Sequence, residues 1–194
     1  MRTSILSVVL LAAVAYATLA RPASAREELT IEGTRGIIEF AIGDSRLLRT
    51  TGSFKSWHGH VHVDDADVPR SSVGVVVQTG SIEMLDRQQV EMLKDADFFD
   101  VTRFPQMTFR SDKVVRTGEA TLTVEGLITL RGITRPMTLD VTVSDRRPDA
   151  PPGTRYARFR GSGKIKRSEF GMTRFVDMVG DTVEISIRAD ALRR

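Results

Sequence analysis

Trp57-His58-Gly59-His60-Val61-His62-Val63 carries all three histidines of this 194-residue chain at alternate positions, with Asp64 and Asp65 directly behind. Two readings compete. In an extended strand residues i, i+2 and i+4 share a face. The imidazoles are then either a metal-ligating ladder or the wet side of a strand whose other side is Trp57, Gly59, Val61 and Val63. A flat ladder converges poorly, because zinc needs nitrogens about 2.0–2.1 Å away and same-face neighbours stand roughly 6.5–7 Å apart. Parity therefore favours a strand with its apolar side inward and its histidines outward. A metal site on His58, His60 and His62, helped by Asp64, is the alternative.

The same period of two runs through the chain. Ile38, Phe40 and Ile42 alternate with Ile37, Glu39 and Ala41, and Val73, Val75 and Val77 alternate with Ser72, Gly74 and Val76. Leu122, Val124, Ile128 and Leu130 share one parity. Met137, Leu139, Val141 and Val143 share another, as do Val183, Ile185 and Ile187. Alternation of this kind marks strands with one wet and one dry face. Turn residues fall between the runs at Gly43-Asp44, Asp64 to Pro69, Thr117-Gly118, Arg131-Gly132, Pro148 to Gly153 and Gly180-Asp181. One helical segment stands out, Asp86 to Lys94, with Asp86 placed to cap its start. The expectation is an all-β domain, a meandering antiparallel barrel of about eight strands with one short helix.

Residues 1–25 read as a secretory signal peptide. Arg2 is followed by the charge-free run Ile5 to Ala20, then by the break at Arg21-Pro22 and the cleavage pattern Ala23-Ser24-Ala25. An uncleaved anchor is the rival, since the run is near the minimum spanning length. Residues 26–194 then form one domain large enough for a sizeable core. Loss of Arg2 and Arg21 takes the formal charge from +3 to +1, with both signs scattered, which argues against nucleic-acid binding. The expected location is the periplasm. With no cysteine there is neither a disulfide nor a lipid-modified cysteine anchor. An outer-membrane barrel would share the alternation, but Trp57 and Tyr156 are too few for two aromatic girdles.

Catalysis has little support. There is no cysteine nucleophile, the histidines lie on one strand, and no phosphate-cradling glycine loop is present. Asp95, Asp97 and Asp100 flank Phe98 and Phe99, which suggests a loop anchored by aromatics. A barrel of this size is either filled by side chains or holds one apolar ligand. The many phenylalanines and methionines, among them Phe98, Phe99, Phe104, Met107, Phe109, Met137, Phe170, Met172, Phe175 and Met178, suit an adaptable apolar pocket. Composition leaves both options open.

Four ordered stretches carry a resemblance to a known family. Asp97 to Ser111 (DFFDVTRFPQMTFRS), Val124 to Leu139 (VEGLITLRGITRPMTL), Lys166 to Gly171 (KRSEFG) and Val179 to Ile187 (VGDTVEISI) resemble the motifs of the YceI-like proteins. The resemblance extends from about Thr30 to Ala191. It implies a lipocalin-like eight-stranded barrel that is not an enzyme, carries no covalent cofactor and binds a long isoprenoid lipid non-covalently. It also implies a polyprenyl or quinone-type ligand and, in some members, a b561-type membrane cytochrome as partner. Two rival functions stay open, the histidine metal site and a lipid-free interaction module for an envelope protein. Oligomeric state is not specified.

Under this reading Ile38, Phe40, Trp57, Val75, Val77, Phe99, Met107, Phe109, Leu122, Val124, Leu139 and Ile185 are expected to wall the cavity, from parity and size. Phe104 is expected to cap a barrel end, with Pro105 keeping the chain extended before a strand, and Gly132 to make a tight reversal. Arg167 is expected to pair with Glu169 or Asp177, or else to hold a lipid phosphate. The chain departs from the family pattern at Glu32 to Gly36, at Met92-Leu93 and at Gly171 to Thr173. Those departures imply either a different lipid head group or retention by the tail alone.

Overall fold

The computed structural model describes residues 26–43 and 49–194. The leader, and Asp44 of the first expected turn, lie outside the described residues. Alternating sequence becomes antiparallel sheet throughout. The segments are β1 (Glu27–Glu32), β2 (Gly36–Ile42), β3 (Thr50–Phe54), β4 (Trp57–Val63), β5 (Ser72–Gln78) and β6 (Ile82–Glu83), then β7 (Gln106–Arg116), β8 (Thr121–Leu130), β9 (Ile133–Ser144), β10 (Arg155–Lys166) and β11 (Thr182–Arg193). Helix α1 (Arg87–Lys94) crosses between β6 and β7, and the single turn α2 (Val176–Val179) precedes β11.

The eleven segments make eight ribbons, because β1/β2, β3/β4 and β5/β6 are each one ribbon broken in the middle. Each ribbon pairs with the next in sequence. The last, β11, closes the barrel against both halves of the first, with Ile187 opposite Ile38 and Thr30 opposite Leu192. Closure removes the exposed sheet edges that a meander would otherwise leave.

The breaks are coordinated. A 3-10 turn at Gly33–Arg35 interrupts the first ribbon and another at Thr79–Ser81 interrupts the third. At the second break the Lys55 amide donates to the Ser81 carbonyl at 3.2 Å, and the Gln78 amide donates to Ser56 at 2.9 Å. The Ser81 hydroxyl accepts from the Ser56 amide at 3.0 Å and donates to the Gln78 carbonyl at 2.7 Å. All three ribbons thus bend at one level, with their backbone groups satisfied there.

Local chemistry sets the connections. Asp86 caps α1, its carboxylate accepting from the Gln88 amide at 2.8 Å. Arg131 and Gly132 both have positive φ, 52° and 72°, between the paired residues Leu130 and Ile133. Two left-handed residues in a two-residue hairpin match the twist of the flanking strands. Arg131 is held in that conformation by its guanidinium, which donates to the carbonyls of Ala96 (2.8 Å) and Phe98.

Apolar parity points inward on every ribbon. On β8 the inward Val124, Ile128 and Leu130 are buried, while Thr121, Glu125 and Leu127 are exposed on the outside. On β10 the outer positions are Arg160, Ser162, Lys164 and Lys166. This is the opposite of a lipid-facing barrel, whose outer band is apolar. No helix among the described residues is long and apolar enough to cross a membrane.

Candidate functional site: an apolar cavity through the barrel

The buried side chains do not form one core. One cluster gathers Leu29, Ile31, Ile38, Phe54, Trp57, Val77, Ile82, Tyr156, Ala157, Ala189 and Ala191. A second gathers Val114, Val124, Ile128, Leu130, Met137, Leu139, Phe170 and Met172. Between them lies a cavity of about 640 Å³, inside the usual range for small-molecule pockets of ~300–1,000 Å³. Val73, Phe99, Met107 and Ile187 pack against both clusters and bridge across it. Inward residues such as Phe40, Val75, Phe109, Leu122 and Ile185 are therefore only half-buried: their free surface faces the void.

The wall includes Ile38, Phe40, Val75, Val77, Phe99, Met107, Phe109, Leu122, Val124, Leu139 and Ile185. Those positions lie on six of the eight ribbons and on the loop after α1. Trp57 is a correction. It is buried, 4 % exposed, yet it is not part of the wall. Its indole lodges at the ribbon breaks, where a Cβ added to Gly36 would lie 2.8 Å from the ring. Its parity is inward, but the kink turns that inward direction under the neighbouring strand. Its Nε1–H has no acceptor among the described residues.

Sequence reasoning missed part of the wall. Phe159, Gly161 and Ile165 of β10 face the cavity. The alternation of these residues with Arg158, Arg160, Ser162, Lys164 and Lys166 was the available signal, weakened by two inward glycines. Met84, Met92 and Leu93 bring α1 and its approach onto the wall, a placement that depends on where the helix docks. Near them Phe40, Phe54 and Phe99 form a chain of rings, with centroids 5.7 Å and 5.5 Å apart and the second pair edge to face.

The two ends of the cavity differ. At one end the connections after β4, β7 and β9 bring Asp64, Asp65, Arg116, Glu119 and Arg146 to the rim. Arg146 pairs with Asp65 and donates to the Tyr156 hydroxyl at 3.0 Å. Asp64 is buried and accepts from the Asp67 amide at 3.0 Å. At the opposite end, where α1 and α2 sit, the rim is Met84, Met92, Phe98, Phe175 and Val179, with Gln89, Arg167 and Arg174.

Arg167 is 5 % exposed, and its donors go to backbone carbonyls. Nε donates to Gly180 at 2.9 Å, and Nη1 to Met172 at 3.2 Å and to Arg174 at 2.7 Å. This corrects the expected pairing with Glu169 or Asp177: the structural role holds, with carbonyls as partners. Burial draws the Arg167 pKa below its ordinary value, partly offset by the Asp181 charge. Asp181 in turn receives the Ser168 amide at 2.8 Å and the Ser168 hydroxyl at 2.7 Å. Burial opposes its ionisation, but those donors and the charges of Arg167 and Lys166 outweigh it and hold its pKa below the usual value. Phe104 sits over Gly132 at the same end, and the Pro105 carbonyl accepts from the Thr79 amide at 2.9 Å.

His58 and His60 are exposed on the outer face of β4, and His62 is half-exposed there. Across the pairing with β1 they stand opposite Glu32, Thr30 and Glu28, and His62 Nδ1 lies 4.0 Å from Glu28. Among the described residues no group of three or more His, Asp or Glu side chains converges on a metal position.

Comparison with known proteins reproduces this architecture. The sequence model of the YceI-like domain matches residues 28–191. Protein YceI of Salmonella newport (strain SL254) is 29% identical over 171 residues, covering 88% of each chain. Among solved structures, Burkholderia cenocepacia BcnA superposes with a TM-score of 0.71 at 24% identity, over 82% of this chain and 98% of its own. A polyisoprenoid binding domain from Saccharophagus degradans superposes with a TM-score of 0.63 at 10% identity, over 88% of this chain and all of its own.

Proposed function

This chain belongs to the YceI-like family, and from that premise we propose that it is a binding protein, not an enzyme, which holds a long isoprenoid lipid inside its barrel. The observation that carries this reading is the cavity between two packed clusters, walled mostly by Ile, Val, Leu, Phe and Met, with polar groups at its two rims. A flexible polyprenyl or quinone-type chain gains roughly 0.8 kcal/mol per buried CH₂. A closed strand barrel keeps water off it without leaving an edge. Methionines and phenylalanines adjust to its methyl branches. The Saccharophagus degradans domain, described as polyisoprenoid-binding, supports the choice of ligand.

In this reading the lipid is held non-covalently, by apolar contact with the wall. The leader motif of residues 1–25 supports action in the periplasm. An isoprenoid quinone as ligand would link the protein to a b561-type membrane cytochrome. The test is native mass spectrometry of protein purified from a host with membranes. An apolar adduct of isoprenoid mass is expected. Protein that never carries one, however gently it is isolated, overturns the proposal.

A further inference from the structure

Among the described residues four large apolar side chains are exposed: Leu85, Leu127, Phe175 and Met178. Three of them belong to the segments around the α2 end of the cavity. Leu85, just before α1, is fully exposed, Met178 is 76 % exposed and Phe175 is 40 % exposed. Phe175 and the neighbouring Val179 also line the cavity, so apolar surface runs unbroken from the interior to the outside. The rim of the other end carries Asp64, Asp65, Arg116, Glu119 and Arg146, and among the described residues none of the exposed large apolar side chains lies there.

Phe175 is also held in a costly backbone conformation, φ 58° and ψ 23°, which bulky residues rarely adopt. Its ring is backed by Phe98 at 6.4 Å and stacked under the Arg174 guanidinium at 4.9 Å. An aromatic ring beside a long cationic side chain is the pairing that suits a membrane–water boundary. Three side chains present on the order of a few hundred Å², short of the roughly 800 Å² that each partner of a stable protein interface buries. That area fits shallow insertion into lipid better than a second copy of the chain.

We infer that the α2 end of the barrel docks onto a lipid bilayer, seating Leu85, Phe175 and Met178 between head groups and acyl chains so that the cavity opens toward the membrane. The inference rests on the lipid-binding reading above. Acidic Asp86, Glu91, Asp95, Asp97 and Asp177 accompany Arg87, Lys94 and Arg174 at this end, so the attraction is apolar and not electrostatic.

The experiment is flotation of the purified protein with vesicles of phosphatidylcholine at low and high salt. Wild type is expected to float at both. Leu85→Glu/Met178→Glu is expected to lose at least about tenfold in partitioning, and Met178→Glu alone to lose part of it. Leu127→Glu, on the outer face of β8, is expected to float like wild type. Trp57 emission verifies that each variant is folded. Failure of wild type to float, equal flotation of the double variant, or loss of flotation in salt overturns the docking. So does a wild-type dimer that the double variant abolishes. Protein that carries an isoprenoid yet never floats overturns the docking and leaves the lipid reading standing. Flotation that depends on Leu85 and Met178, by protein with no lipid, supports docking and removes the lipid reading.

Discussion

The Nη1 of Arg167 donates to the carbonyl of Arg174 at 2.7 Å, anchoring the segment that carries Phe175 and α2 to the end of β10. The same guanidinium also serves the carbonyls of Met172 and Gly180. Its planar fork reaches these three acceptors from two nitrogens, Nε and Nη1, where a lysine has a single ammonium.

Arg167→Ala is accordingly expected to cost about 2–4 kcal/mol, because it strands buried carbonyls. Arg167→Lys is expected to recover less than half of that. Urea unfolding followed by the emission of Trp57, the only tryptophan, measures both. Equal stability of Arg167→Lys and wild type would show that charge matters here and geometry does not.

The pH dependence follows from Asp181, whose pKa is lowered in the folded chain despite the burial that opposes its ionisation. A depressed carboxylate pKa contributes stability above its unfolded value, about 3.9, and that contribution is lost as pH falls through the folded value. Stability should therefore be flat from neutral pH to about pH 5 with respect to this group, then fall in acid. Asp190, lowered chiefly by its hydrogen bond to Arg158, adds to the same acid limb. In Asp181→Asn the acid slope should be shallower, as urea midpoints across the acid range will report.

Gly161 faces the cavity, and a Cβ there meets Ile187 and Val141 at 3.6–3.9 Å, ordinary contact distances. Gly161→Leu should project into the void and displace ligand while changing stability by no more than about 1.5 kcal/mol. Native mass spectrometry would then find the adduct reduced or shortened. An unchanged adduct at unchanged stability would place the ligand elsewhere.

Trp57 separates folding from binding. Trp57→Ala should cost about 3–5 kcal/mol. Trp57→Phe should cost clearly less, since the indole N–H has no acceptor among the described residues to lose. In Trp57→Phe the lipid adduct should persist, because the indole is absent from the cavity wall. Circular dichroism melts and native spectra of the two variants check this.

The outer histidines carry the last prediction. His58→Ala/His60→Ala/His62→Ala should bind zinc as weakly as wild type and shift stability by about 0.5 kcal/mol or less. Calorimetric titration of both proteins decides it. Tight binding by wild type alone would restore the metal reading.

Much of the barrel was legible in the chain because it is written at short range. A period of two assigns faces strand by strand, as at Leu122 to Leu130, and it placed the histidines of β4 outside before any neighbour was known. Asp86 and Arg131-Gly132 announce a cap and a reversal through their own backbone preferences. β10 was obscured because Gly161 and Gly163 interrupt its apolar face. Parity rightly put Trp57 inside but could not show that the break beside it packs the indole against Gly36 and away from the cavity.

By itself, then, the sequence determined which residues extend, which face is dry and where the chain turns, all properties of neighbours along the backbone. Only the tertiary structure decided that the dry faces leave a void. It also decided that Trp57 serves the bend, that Arg167 finds carbonyls in place of carboxylates, and that Leu85, Phe175 and Met178 share one end. Those outcomes depend on how side chains far apart in sequence fill the space between eight ribbons. Packing volume is a property of the closed barrel, and no single strand carries it.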